Sequence, residues 1–228
     1  MPTVNVDGLR VYYELTGAGQ PLVLIAGLGL DLSECGQLID ALNVHYRVLA
    51  FDNRGAGRTD KPDEPYTVGQ MAADTAGLMK VLGIDRAHIV GMSLGGRIAL
   101  DLALEHPERV RSLVLVSTSA RVERRWTIRL LGLVSLLFRG RYPQPHYAFN
   151  RQRAASVGYD RTDDLSELRV PTLIVHGRRD HLVPYRLAED MAAGIPGARL
   201  TLVDSGHIYP LAKSARFVEQ VAAFTGGT

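Results

Sequence analysis

Continuous apolar runs alternate with amphipathic stretches along most of the 228 residues. Residues 22–26, 47–51, 88–90, 110–116, 170–175 and 199–203 read as strands. The first is apolar at every position, as a strand buried on both faces requires. Ahead of them, residues 4–6 and 9–15 form two further strands around Asp7-Gly8, a hairpin turn signal. Helical periodicity fills the gaps. One helix starts from Asp31 or Ser33 and runs to about Leu42. Another covers 67–82, capped by Thr67 and stopped by Gly83. Three more cover 95–105, 184–193 and 212–224, the first ending before Pro107. This alternation predicts a parallel, doubly wound sheet with its two leading strands antiparallel. It lapses over 121–168, where no strand run occurs. Residues 1–120 and 169–228 therefore read as one core domain and 121–168 as an insertion.

The most informative stretch is Gly91-Met92-Ser93-Leu94-Gly95-Gly96, entered from His88-Ile89-Val90 and left with helical periodicity. G-x-S-x-G between a strand and a helix is a nucleophile elbow. Its serine sits at a strained backbone angle with the hydroxyl clear of the sheet, so its neighbours must be small. The helix start also aims free N–H groups and a positive dipole end at charge forming there. A serine hydroxyl needs a base, and the base needs an orienting carboxylate. In an open parallel sheet both lie beyond the carboxyl ends of later strands. Among seven histidines, His45, His88 and His106 precede strands or end helices, at the wrong edge. His176 and His181 flank an aspartate, and His207 follows the last strand and Gly206. Asp180 follows the preceding strand. Asp204 lies only three residues before His207 and suits local turn chemistry. Ser93, Asp180 and His207 result, in the chain order expected of this elbow.

At 46% hydrophobic the chain can bury one sizeable core, and a net charge of +2 gives no reason to expect a nucleic-acid partner. Cys35 has no second cysteine to pair with, which fits a reducing, cytoplasmic compartment. The first residues lack the pattern of a signal peptide, and no apolar stretch is long enough to span a bilayer.

The motifs together resemble the α/β-hydrolase superfamily, in its branch of small serine esterases and lactonases, with the enol-lactonase-like enzymes nearest. The resemblance rests on Ala26-Gly27-Leu28-Gly29, Asp52-Asn53-Arg54-Gly55-Ala56-Gly57-Arg58-Thr59, the elbow, His176-Gly177-Arg178-Arg179-Asp180 and Ser205-Gly206-His207. It implies a mostly parallel eight-stranded sheet flanked by helices, with a short helical cap at 121–168. It also implies an oxyanion hole from the backbone N–H groups of Leu28 and Leu94, with no metal and no cofactor. Ala26 stands where the family usually has a histidine that braces this loop. Family members that dehalogenate or open epoxides carry aspartate at the elbow, so Ser93 points to acyl transfer from a small ester or lactone. Two rivals keep the scaffold: a cofactor-free perhydrolase resembling haloperoxidases, and a ligand receptor with little turnover. Arg54, Arg58 and Asp52 read as braces of the glycine-rich loop.

Within the insertion, residues 126–138 are almost wholly apolar, with Arg125, Arg129, Gly132, Ser135 and Arg139 as a narrow polar stripe. Such a helix needs cover on more than one side. Trp126, Leu130, Leu133 and Leu137 are the candidate acyl-pocket residues, or a contact with a second copy of the chain. A greasy pocket of this kind predicts short-to-medium apolar acyl esters in preference to charged ones. Residues 142–147, with two prolines, read as a hinge-like loop.

Overall fold

The computed structural model describes residues 2–122, 141, 142 and 144–226. Trp126, Leu130, Leu133 and Leu137, with the apolar stretch around them, lie outside the described residues. Along the chain the elements are β1 (Thr3–Val6), β2 (Leu9–Gly17), β3 (Gln20–Ile25), α1 (Gly36–Asn43), β4 (Tyr46–Phe51), α2 (Val68–Val81), β5 (Ala87–Met92) and α3 (Leu94–Glu105). Then come β6 (Val110–Val116), α4 (His146–Ala155), β7 (Thr172–Gly177), α5 (Arg186–Gly194), β8 (Arg199–Val203), α6 (Tyr209–Ala212) and α7 (Ser214–Thr225).

The strands form one eight-stranded sheet in the order β1-β2-β4-β3-β5-β6-β7-β8. β1 pairs antiparallel with β2, and β2 antiparallel with β4. Every other pairing is parallel. The hairpin turn has positive φ at both Asp7 and Gly8, the conformation that an Asp-Gly pair supplies. Alternation along each strand divides the core. Val23, Ile25, Ile89 and Leu113 face α2 and α3 through Met71, Met79, Ile98 and Leu102. Leu22, Leu24, Val90 and Val114 face α1 and α7 through Leu38, Leu42, Phe217 and Val221. Both sheet faces are covered, which is why these strands are apolar throughout.

Three elements differ from the sequence expectation. Asp31 does cap a helix, but a single 3₁₀ turn, Leu32–Glu34, closed by reciprocal bonds between Asp31 and Glu34. The chain then restarts as α1 at Gly36. The closing helix is broken at Lys213 (φ −138°, ψ 47°), because Pro210 starts its own short helix, α6. Residues 142–147 are not all loop: α4 begins at His146, directly after Pro145. Its sequence is polar, so it shows no apolar stripe; Ala148 and Gln152 are its buried residues.

Candidate active site

Ser93 sits between the end of β5 and the start of α3 at φ 56°, ψ −114°. A non-glycine residue in this region stores roughly 1–3 kcal/mol of strain, tolerated where the surroundings over-determine it. They do so here. The Ser93 N–H donates to the Val116 carbonyl at 3.0 Å. Its own carbonyl accepts from the Gly96 N–H at 3.0 Å and from Thr118 Oγ1 at 2.7 Å. A Cβ on Gly95 would run into the Ile25 carbonyl, and one on Gly91 into the carbonyl of Gly95. The small residues of the motif let strand, turn and helix close on one another.

The other two residues come from the last two strands of the sheet. Asp180 follows β7, His207 follows β8, and the structure brings them together at Ser93. His207 Nε2 lies 3.0 Å from Ser93 Oγ, and Nδ1 lies 2.7 Å from Asp180 Oδ2. Asp180 Oδ1 accepts from the Leu182 and Val183 N–H groups, each at 2.9 Å. Burial opposes ionisation of Asp180. Hydrogen bonds from His176 and His207, the charge of His207 and the Val183 N–H outweigh it and hold the carboxyl well below its usual range.

His176 contacts Asp180 and does not reach the serine as a base would. Its ring is fully buried, with Nε2 2.9 Å from the Val183 carbonyl and 3.3 Å from Asp180 Oδ2. Both neighbours are acceptors, so Nε2 carries the proton and faces the carboxylate. Asp204 points away: its side chain is 80% exposed and pairs with Arg179 at 2.9 Å. It makes a surface ion pair in place of the turn contact expected of it.

The loop after β3 carries Leu28. Neither the Leu28 N–H nor the Leu94 N–H donates to another of the described residues. With Ala26 in place of a histidine, the loop is braced from elsewhere. Asn53 Nδ2 donates to the Ala26 carbonyl at 3.0 Å. Gln152, fully buried, accepts from the Gly29 N–H at 3.2 Å and donates to the Arg54 carbonyl at 2.7 Å. Sequence reasoning missed Gln152, since a lone glutamine in a polar helix carries no signal. The braces it did identify hold the glycine-rich loop. Arg54 makes a two-pronged bond to Asp74, both at 2.8 Å. Arg58 stacks 3.3 Å from the Tyr12 ring centre, and its N–H donates to buried Asp52 at 2.7 Å.

Known proteins agree with this architecture. The model of the alpha/beta hydrolase fold family matches residues 20–153. A protein of Azorhizobium caulinodans described as "Putative carbamate hydrolase RutD" is 30% identical, over 99% of this chain and 98% of its own. A hydrolase of Pseudomonas aeruginosa superposes with a TM-score of 0.90 at 28% identity, covering 99% and 98% of the two chains. The enol-lactonase of Burkholderia xenovorans superposes at 0.87 with 27% identity, covering 99% and 100%. With its sheet order, its strand-turn-helix serine and these relatives, the chain belongs to the α/β-hydrolase fold family.

Proposed function

We propose that this hydrolase cleaves carboxylic esters or lactones through an acyl-enzyme on Ser93. One observation carries the reading: a single imidazole, His207, reaches Ser93 Oγ with one nitrogen and a buried carboxylate with the other. Ser93 Oγ attacks the acyl carbon while His207 Nε2 takes its proton. Asp180 fixes the tautomer of His207 and balances the cation that forms. The amides of Leu28 and Leu94 receive the oxyanion; as backbone donors they need no reorganisation when charge develops. His207 returns the proton to the leaving oxygen, then activates water to release the acyl group. A carbamate presents the same kind of carbonyl, and the similarity to the RutD relative favours including one in any assay.

The test is turnover of p-nitrophenyl esters together with fluorophosphonate labelling. Wild type is expected to hydrolyse esters and take the label at Ser93. Ser93→Ala is expected to lose roughly 10⁴-fold or more in kcat while remaining folded, because the three residues act as a unit. Retention of more than a few per cent of activity would remove Ser93 as nucleophile.

A further inference from the structure

Arg97 lies four residues beyond Ser93 on α3, hence on the same side of the helix about one turn further along. It is only 6% exposed. Its guanidinium is held by two hydroxyls, Ser156 Oγ at 3.2 Å and Ser119 Oγ at a long 3.4 Å. The Ser119 proton is itself given to the Arg121 carbonyl, at 2.7 Å. Nε is buried and has no hydrogen-bond partner among the described residues. No carboxylate among the described residues lies within ion-pair distance. Other arginines differ: Arg54 has Asp74, Arg58 has Asp52, and Arg161 has Asp101, Glu105 and Asp164. Asp101, one turn beyond Arg97, is already taken by Tyr159 and Arg161.

Burial lowers the Arg97 pKa to about 10, so the group stays charged at neutral pH. A buried cation without a counter-charge is costly, and a fold that keeps one must supply a negative partner by another route. That partner has a place to enter. Arg97 lines a hollow of about 350 Å³ together with Ser119, Arg178, Asp180 and Val183. Asp180, the carboxylate that holds His207, lines the same hollow. A planar guanidinium with a free Nε–H suits a carboxylate, which accepts two parallel bonds.

We propose that Arg97 binds a substrate carboxylate, so that the preferred ester or lactone carries an anionic arm. The proposal rests on the ester- or lactone-hydrolase reading of Ser93. It reverses the expectation that apolar acyl esters are preferred over charged ones.

The experiment compares matched substrates. One series sets methyl hydrogen succinate, glutarate and adipate against neutral methyl esters of matched length. A second places the carboxylate on the alcohol side, with O-acetyl glycolate and 3-acetoxypropanoate against ethyl and propyl acetate. Wild type is expected to favour the anionic member of at least one series by roughly 10-fold or more in kcat/KM, the scale of one charge-assisted contact. Arg97→Met, of similar length and uncharged, is expected to bring that ratio near one, mostly through KM. Thermal unfolding of this variant is expected at or above the wild-type midpoint, since it removes an uncompensated charge. If Arg97→Met does not fold, Arg97→Lys decides: its shorter reach should cut the ratio several-fold, and an unchanged ratio overturns the proposal. No preference for the anionic member in either series, or a preference that survives Arg97→Met, also overturns it. If wild type hydrolyses no ester at all, the hydrolase reading fails separately. Calorimetric titration with glutarate then decides the anion site: binding by wild type that is lost in Arg97→Met sustains it, and binding equal in both or absent from both removes it.

Discussion

Asp180 gathers two backbone N–H donors on Oδ1 and two imidazoles on Oδ2. Each favours the carboxylate over the acid. Position Asp204 has nothing comparable, being at the surface beside Arg179. Asp180→Asn is therefore expected to cost about 10⁴-fold in kcat, the scale seen when an orienting aspartate is lost. Asp204→Asn should fall within a few-fold of wild type. A side-by-side kcat/KM comparison checks this, and the opposite order would place the acid at Asp204. The carboxylate and its histidine were legible in the sequence because each follows a predicted strand. That no carboxylate among the described residues reaches Arg97 was not, since such a gap shows only once the neighbours are placed in space.

At the scale of elements, the loop after β3 is tied to the helix α4 by Gln152. Gln152 links the Gly29 N–H to the Arg54 carbonyl, one residue from the Leu28 amide. Gln152→Ala should let that amide drift from its position. If that amide is an oxyanion donor as proposed, its full loss costs about 10²–10³-fold. A loosened donor should cost less, about 10–100-fold in kcat with KM little changed, measured by steady-state kinetics on a p-nitrophenyl ester. Strand β5 carries a second testable feature at its other end. His88 is buried between Ser112 Oγ, 2.8 Å from Nδ1, and Gln20 Oε1, 2.9 Å from Nε2. Burial, with the charge of Arg111, lowers its pKa from 6.5 to about 4. The unfolded chain therefore takes up a proton at this residue before the native state does, and acid favours unfolding. The stability at stake is whole above pH 6.5 and is lost progressively towards pH 4. Between pH 7 and 5 wild type should lose about 2 kcal/mol more than His88→Gln, read from urea midpoints at the two values.

For the whole molecule, the segment that follows β6 is tied back to the core by charge as well as by α4. Arg161 bonds Asp101 and Glu105 of α3, both at about 3 Å, and Asp101 also accepts from Tyr159 at 2.9 Å. Asp101 is 2% exposed, so removal of its cation strands a buried charge. Arg161 itself is 30% exposed, and water will compensate part of the loss. Arg161→Ala is expected to cost about 2 kcal/mol, a fall of roughly 4–8 °C in Tm for a chain of this size. Calorimetry checks the value, and the double variant with Asp101→Asn should recover part of it. A shift below 1 °C would show that the segment is held by other contacts.

The sequence by itself determined the architecture. Apolar runs of strand length, each followed by a helical period, leave a parallel sheet covered on both faces as the arrangement that buries them, and the observed strands follow those runs closely. It also determined the three residues that meet at the elbow. Gly91, Gly95 and the strand ends are local features, and position beyond a parallel strand is set by topology alone. Only the tertiary structure decided what depends on distant neighbours. Helix α4 is polar and gains its place through Gln152 in the core, a pairing separated by 123 residues from Gly29. His176 became a donor to Asp180 because Val183 and the carboxylate converge on one nitrogen. Arg97 has no carboxylate partner among the described residues, and the nearest acid on its helix, Asp101, is bonded by Tyr159 and Arg161. Periodicity records which face a residue turns to the core, but pairing among polar groups is settled by which of them the fold brings within 3 Å or so of each other.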